Sequence, residues 1–206
     1  MSHLYLQLDR DYPEVWQLGP IVKAILAGGV GVIPTDTNYA FVCDLSHRDA
    51  VDRLYRVKGI DKKKPLSILC ANDRMISHYT RGLPTSSFRA MRRCLPGPFT
   101  FIMKASGDIP RTTLRKRKTI GVRVPDDEIC TSLLADLGIP LLCTSVRTPD
   151  DSHWNNPAQI SETYDKRIDF VVDGGERLAE PSTVIDLTGD DPEIIRIGKG
   201  NPELFE

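Results

Sequence analysis

The sequence lacks the short motifs that identify the commonest nucleotide-binding and hydrolytic sites. It contains no G-x-x-x-x-G-K-[ST] loop, no G-x-G-x-x-G after a strand, no H-E-x-x-H and no G-x-S-x-G elbow. A nucleotide, if one binds, must therefore be held by dispersed lysine, arginine and hydroxyl side chains.

Close cysteine pairs are also absent, because no C-x-x-C spacing occurs and the number of cysteines is odd. Reduced thiols in a cytoplasmic protein are the expected state. Three of them end apolar, strand-like runs, where a cysteine usually acts as a small hydrophobic residue and only seldom as a nucleophile. The five are Cys43, Cys70, Cys94, Cys130 and Cys143.

The histidines lack metal-ligand spacing and stand in polar surroundings, so they are interpreted as surface residues. They are His3, His47, His78 and His153. No apolar run approaches the ~18 residues of a membrane span, and the N-terminus does not resemble a signal peptide. These absences favour a soluble, cytoplasmic protein with no membrane partner.

Composition and periodicity predict one α/β domain over residues 1–206, with a twisted mixed sheet flanked by helices and a ligand cleft at strand ends. The chain has 206 residues, 40% of them hydrophobic, and a formal net charge of -1. Predicted strands cover 4–8, 30–33, 65–70, 99–104, 119–124, 140–144, 170–173, 183–187 and 194–197. Predicted helices run through 16–26, from a cap at Ser46 to Lys58, and over 75–79, 86–94, 128–137 (capped by Asp126 or Asp127) and 158–164.

The first helix is predicted to place Trp16 and Leu26 on its apolar face, together with Ile21, Val22 and Ile25.

The segment Val32–Ala40 is the most informative one, because a β-branched strand runs into Pro34 and then into Thr35, Asp36 and Thr37. Proline ends a central ladder, and hydroxyl and carboxylate side chains bond local backbone in turns. The segment is either a small polar binding site or an ordinary turn.

Two clusters of basic residues could form a patch for an anion, although such runs are more often solvated faces. One cluster is Arg111, Arg115, Lys116, Arg117 and Lys118, and the other is Lys62, Lys63 and Lys64.

Several candidate site residues have a structural alternative. Lys58 could complement a helix C-terminus, and Arg123 inside its strand could pair with a ligand or with a carboxylate such as Asp186. Ser182 could cap a turn, and Arg196 could lie on an exposed edge.

Seven segments, taken in order over nearly the whole chain, resemble the YrdC superfamily. The segment 117–125 and the ending, 196–200 with Phe205-Glu206, are similar to its YciO branch. The seven are Pro34-Thr35-Asp36-Thr37-x-Tyr39, Val57-Lys58-Gly59, Pro65-Leu66, Pro96-Gly97-Pro98-x-Thr100, Val122-Arg123-Val124-Pro125, Thr144-Ser145 and Pro181-Ser182-Thr183-Val184-Ile185-Asp186.

The resemblance implies an activity and its partners. The best-understood members make threonylcarbamoyl-AMP from L-threonine, bicarbonate and ATP, release pyrophosphate, and serve the modification of a tRNA adenosine. ATP would enter with Mg²⁺, with no metal ligand identified on the protein and no prosthetic group. Members are also described as binding double-stranded RNA through a basic concave surface.

The resemblance also implies roles for individual residues. Lys58 would contact the phosphates and Arg123 the threonine carboxylate or carbamate, which makes them the catalytic pair. Thr35 and Ser182 would bind substrate, while Ser145 and Arg196 would join Lys58 at ATP. RNA, whether tRNA, rRNA or a duplex, would lie on Arg115, Lys116, Arg117 and Lys118.

The chain departs from the synthase pattern at three positions. Ile60 stands where the synthases have arginine, Arg147 where they have asparagine, and Ala40 where they have glycine. A phosphate contact is lost and a two-way hydrogen-bonding amide becomes a donor-only cation, so any synthase-like activity is expected to be weak.

Two hypotheses follow: a nucleotidyltransferase of the threonylcarbamoyl-AMP synthase type linked to tRNA or rRNA, or an RNA-binding translation or ribosome maturation factor without catalysis. Charge inside a cleft favours the first, and charge spread along a face favours the second.

Overall fold

The computed structural model describes residues 3–147, 154–177 and 180–205, and their strands form one sheet. This sheet has eleven strands. They are β1 (Leu4–Gln7), β2 (Val30–Ile33), β3 (Ala40–Asp44), β4 (Ser67–Leu69), β5 (Thr80–Arg81), β6 (Phe99–Ala105), β7 (Thr119–Arg123), β8 (Leu141–Ser145), β9 (Phe170–Asp173), β10 (Thr183–Asp186) and β11 (Glu193–Arg196).

The strand order is β1-β9-β2-β3-β8-β4-β7-β6-β10-β11, with β5 paired to β6. The sheet contains parallel pairs, such as β4 with β7, and antiparallel pairs, such as β2 with β3 and β6 with β7. The sheet is therefore mixed and open, as the sequence predicted.

Helices lie against this sheet within the described residues. They are α1 (Gly19–Leu26), α2 (Arg48–Lys58), α3 (Asp73–Tyr79), α4 (Thr85–Arg93), α5 (Arg111–Leu114), α6 (Glu128–Leu137) and α7 (Pro157–Thr163), with short 3₁₀ segments at Val15–Leu18 and Pro202–Leu204. The predicted single α/β domain with flanking helices is confirmed.

Burial explains why the central strands read as continuous apolar runs. All four residues of β2 and all five of β3 are buried, which is expected of strands covered on both faces. Helix α2 buries Ala50, Val51, Leu54, Tyr55 and Val57 against the sheet and ends at Lys58, as its periodicity predicted.

Three local predictions, on Trp16, Leu26 and Ser46, are wrong. Trp16 is 78% exposed because it lies in the 3₁₀ segment before α1, and Leu26 is 50% exposed because α1 turns Ile21 and Ile25 inward instead. Ser46 does not cap α2, whose N-cap is His47 without a side-chain bond; the Asp44 carboxylate accepts from the Ser46 amide instead.

Two strands and one α-helix are absent from the predicted elements. Strand β3 was missed because it follows directly on the polar turn, β5 has only two residues, and α5 lies in what the sequence presented as a basic loop.

A buried ion pair fixes the loop after β9 against the start of α6. Asp127 caps α6 by accepting from the Cys130 amide at 2.9 Å, and it pairs with Arg177 at 3.0 Å. The two side chains are only 9% and 6% exposed. Nearby, the buried Tyr39 donates its hydroxyl to the Gly175 carbonyl at 2.7 Å, so the same loop is tied to the turn that follows β2.

We expect Asp127→Ala to lower the free energy of unfolding by about 3–5 kcal/mol, because it leaves the Arg177 guanidinium buried without its anion. Asp127→Asn keeps a capping oxygen and should lose less. Urea unfolding followed by circular dichroism measures both, with the exposed Asp190→Ala as control. A loss in Asp127→Ala no larger than in the control would contradict a stabilising role for the pair.

Candidate functional site

A cleft with a volume of about 760 Å³ opens over one face of the sheet between β3 and β10. Every second residue of a strand points its side chain toward the cleft, because successive side chains of a strand lie on opposite faces of the sheet. Ser67 and Leu69 of β4, and Thr100 and Ile102 of β6, contribute side chains two residues apart. The predicted location at strand ends is therefore only part of the site, since the cleft extends across the sheet face.

Strand β7 crosses the middle of the cleft and contributes Thr119, Gly121 and Arg123. These three positions span about 13 Å at ~3.3 Å per residue. A Cβ atom on Gly121 would lie 2.4 Å from the Ser67 hydroxyl oxygen and 3.3 Å from a Thr100 methyl carbon. The absence of a side chain at 121 thus keeps the floor of the cleft open.

The turn after β2 is held by the hydroxyl of Thr35. This hydroxyl donates to the Asn38 carbonyl at 2.6 Å and lies 3.1 Å from the Thr37 hydroxyl, and Thr35 is fully buried. Thr35 and Asn38 both line the cleft. The segment is a structured turn and part of a cavity wall at the same time.

Arg123 finds its anion within this turn, and the anion is Asp36 rather than Asp186. The Arg123 guanidinium bonds to one Asp36 carboxylate oxygen and, at 2.7 Å, to the Thr37 hydroxyl. The Arg123 and Asp36 side chains are 10% and 6% exposed. Arg123 Nε and Asp36 Oδ2 are buried without a hydrogen-bond partner among the described residues. Such atoms are costly, so the pair is incompletely satisfied in this state.

Lys58 lies at the C-terminal end of α2, where its positive charge interacts favourably with the helix dipole. The side chain also contacts β8. Its ammonium donates to the Ser145 carbonyl. Helix α2 ends there because Gly59 adopts a left-handed conformation with φ 70°. Lys58 and Ser145 both line the cleft, as does Ile60 just beyond the helix.

Ser182 and Arg196 form the opposite wall. The Ser182 hydroxyl lies 2.8 Å from the Thr100 hydroxyl, and the Arg196 guanidinium donates to the Ser182 carbonyl at 2.7 Å. Burial, together with the neighbouring charges of Arg147 and Arg123, lowers the pKa of Arg196. Three guanidinium groups therefore crowd one end of the cleft.

All six predicted substrate, ATP and catalytic residues line this one cleft: Thr35, Lys58, Arg123, Ser145, Ser182 and Arg196. Among the described residues, six basic side chains and one acid, Asp186, line it. Sequence reasoning missed Lys64, Thr100 and Ser67 as members of the wall. One small polar residue in each of two strands, Ser67 in β4 and Thr100 in β6, was the available signal for the floor.

The basic segment predicted to bind RNA is divided between different surroundings. Arg117 lines the cleft and donates to the Lys63 carbonyl at 2.6 Å. Arg115 bonds to Asp52 and lies over the Tyr55 ring. Lys116 and Lys118 are exposed. The segment therefore does not present four equivalent cations to solvent.

All five cysteines are free and buried. Burial raises the pKa of the Cys143 thiol, which borders the cleft, to about 12, although Arg123 opposes the shift. His47 and His78 are exposed as predicted, but His3 is not a surface residue, since its side chain is 7% exposed and bonds to Ser161 at 2.6 Å. His153 lies outside the described residues.

Within the described ranges, no group of three or more histidine, cysteine or acidic side chains is arranged to hold a metal ion. None of the described helices has both the length and the apolar character needed to cross a bilayer.

Comparisons with known proteins give one consistent match. The model of the Sua5/YciO/YrdC family, described as "Telomere recombination", matches residues 23–198. The uncharacterized protein YciO of Escherichia coli K12 is 34% identical over 203 residues, which is 98% of each chain. The crystal structure of E. coli YciO superimposes with a TM-score of 0.90 over the full length of both chains.

The chain is also similar to enzymes of known product. The threonylcarbamoyl-AMP synthase of Pyrococcus abyssi is 28% identical over 190 residues, covering 92% of this chain and 56% of that protein. The structure of P. abyssi Sua5 complexed with L-threonine superimposes with a TM-score of 0.88 at 26% identity, over 95% of this chain and 57% of that one.

The raised pKa of Cys143 leads to a prediction about thiol reactivity. At pH 8 a thiol with a pKa of about 12 is roughly one part in ten thousand thiolate, so the folded protein should resist iodoacetamide at this residue. Mass spectrometry of native and urea-unfolded protein measures the modification, and Ser46→Cys supplies an exposed control thiol. Rapid native labelling of Cys143 would show that this wall of the cleft is open to solvent.

Proposed function

The chain belongs to the Sua5/YciO/YrdC family, and from this membership we propose that it binds ATP and L-threonine in the cleft and forms threonylcarbamoyl-AMP slowly. Bicarbonate would be the third substrate, and the product would serve tRNA modification or rRNA metabolism. Two relatives support the proposal most directly: a P. abyssi enzyme named for this product and a Sua5 structure that contains L-threonine.

One observation carries the proposal: the concentration of positive charge inside the cleft. The lining basic side chains are Lys58, Lys64, Arg117, Arg123, Arg147 and Arg196. The reaction must bring a carbamate against a triphosphate, and fixed cations offset the repulsion between these anions. A protein that only bound RNA would need the charge along an outer face instead.

The proposed chemistry assigns a task to each wall. A carbamate oxygen attacks the α-phosphorus of ATP, the new P–O bond forms, and the bond to the departing pyrophosphate breaks. Lys58 would stabilise charge on the phosphates, and Arg123 would orient the threonine carboxylate or carbamate. Mg²⁺ would enter on the triphosphate as part of the substrate and neutralise phosphate charge.

The remaining roles follow from the contacts already described. Ser145, Ser182 and Arg196 would hold ATP and substrate oxygens from the two walls. Thr35 would act through the turn, because its hydroxyl is already engaged by the Asn38 carbonyl. Binding of RNA without catalysis is the second candidate, which the exposed Lys116 and Lys118 favour.

We expect the wild-type protein to release pyrophosphate from ATP, bicarbonate and threonine slowly, because misplacement of reacting groups by ~1 Å can cost ~100-fold in rate. Ile60 and Arg147 both line the cleft. Converting Ile60→Arg together with Arg147→Asn restores a cation and an amide, and should raise the rate roughly 10- to 100-fold. The assay is pyrophosphate release at equal enzyme concentration, run with each amino acid in turn.

Ile60→Met with Arg147→Met is the matched control, since it changes both positions without supplying a cation or an amide. The proposal that these positions limit catalysis fails if the wild type already matches the P. abyssi synthase. It also fails if the restored variant folds but gains nothing.

The Arg123–Asp36 pair leads to a prediction about the affinity for L-threonine. If a substrate carboxylate must compete with Asp36 for the guanidinium, Asp36→Asn should tighten L-threonine binding about tenfold while lowering stability. Calorimetric titration measures the affinity, and Asp186→Asn serves as control, because the Asp186 carboxylate bonds to the Thr188 amide. Weaker binding in Asp36→Asn would mean that Asp36 contacts the substrate directly and is not a competitor.

A further inference from the structure

A second basic pocket, separate from the cleft, lies between α2 and α5. Its volume is about 360 Å³, within the range of small-molecule sites. Five of its lining side chains are cationic and one is acidic. The residues are Arg48, Asp52, Lys62, Arg111, Thr112, Arg115 and Lys116.

The one acid of this pocket is already engaged. Asp52 bonds to Lys62 at 3.1 Å and to Arg115. Desolvation opposes ionisation of Asp52, but these two cations outweigh it and hold its pKa below the ordinary value. Asp52 therefore cannot neutralise the rest of the pocket.

The other cations have no such partner. Arg48, Arg111 and Lys116 are exposed, and no hydrogen bond or ion pair joins their side chains to another described residue. Three uncompensated positive charges thus face one small concavity. Their mutual repulsion is relieved when an anion binds among them.

The backbone adopts an uncommon conformation to bring these charges together. Arg115 and Lys116 both have left-handed backbone angles, with φ values of 48° and 73°. Such angles are unfavourable for residues with a side chain and persist where surrounding contacts enforce them. Here the Arg115 guanidinium lies 4.9 Å from the centre of the Tyr55 ring, which fixes its direction.

We propose that this pocket binds the phosphate chain of an oligophosphate, a linear di- or triphosphate, either free or at the end of a nucleotide. A compact concavity with converging cations suits several negative charges held on adjacent phosphates. The phosphates of a duplex RNA are spread along its length and would need a row of cations instead. The inference does not depend on the reaction proposed for the cleft.

Tyr55 of α2 connects the pocket to the cleft through its contacts with Arg115 and Arg117. Tyr55 receives Arg115 on its ring, accepts from Arg117 at 3.2 Å, and donates to the Lys64 carbonyl at 2.9 Å. Arg117 and Lys64 line the cleft. An anion bound to Arg115 therefore lies one residue, Tyr55, away from the side chains of the cleft wall.

Isothermal titration with inorganic tripolyphosphate at fixed ionic strength tests the proposal. The pocket variant is Arg111→Gln/Lys116→Gln, and the control Arg89→Gln/Arg93→Gln removes the same charge from exposed positions on α4. We expect the pocket variant to lose one binding equivalent, or to bind it at least tenfold more weakly. The control should stay within twofold of the wild type.

Lys58→Gln separates this site from the cleft, because Lys58 lines the cleft and not the pocket. Retention of the pocket equivalent in Lys58→Gln supports the proposal even if the cleft binds no nucleotide at all. Equal losses in the pocket variant and the α4 control would overturn it. A duplex RNA of about 16 base pairs is titrated in parallel. Loss of RNA binding in the pocket variant with tripolyphosphate binding intact would also overturn it.

Discussion

A buried arginine must find negative charge, and the pairing of Arg123 with Asp36 is the interaction on which the cleft depends. It joins the end of β7 to the turn after β2, two elements that are far apart in the sequence and separated by three strands in the sheet. The Thr35 hydroxyl holds this turn by bonding to the Asn38 carbonyl. At the end of the turn, the Tyr39 hydroxyl bonds to the Gly175 carbonyl in the loop after β9. The position of the turn over the sheet is therefore set by polar contacts as well as by packing. The same contacts hold the guanidinium at the cleft wall, so stability and the binding of acidic ligands involve the same group.

Two separate concavities each concentrate basic side chains among the described residues. The cleft holds six basic side chains, and the pocket between α2 and α5 holds five. The boundary between them lies within Arg115 to Arg117: Arg115 and Lys116 line the pocket, Arg117 lines the cleft, and Tyr55 contacts both Arg115 and Arg117. A sequence run that looks like one basic patch is thus divided between two separate concavities.

Local features of the structure could be predicted from the sequence, and the contacts between distant segments could not. A cap for α6 at Asp126 or Asp127 follows from carboxylates just before an apolar helical run, and the structure selects Asp127. The buried face of α2 follows from periodicity. The candidate residues of the cleft were reached through a resemblance in seven segments, not through their physical pattern. Asp186 was named as an example of a carboxylate partner for Arg123, but the partner is Asp36. The two carboxylates are equally plausible until the strand order is known. The exposure of Trp16 could not be foreseen either, since the 3₁₀ segment before α1 shifts its direction.

Gly121 limits how this cleft can change by mutation. Any side chain there would meet Ser67 and Thr100, so the middle of the floor admits almost no substitution without displacing two neighbours. The rim is less restricted there, because Ile60 and Arg147 line the cavity from outside the strands, where exchange is better tolerated. These are two of the positions at which the chain departs from the synthase pattern. A lineage with this floor can alter which ligand it prefers through a few rim substitutions while the sheet beneath stays the same.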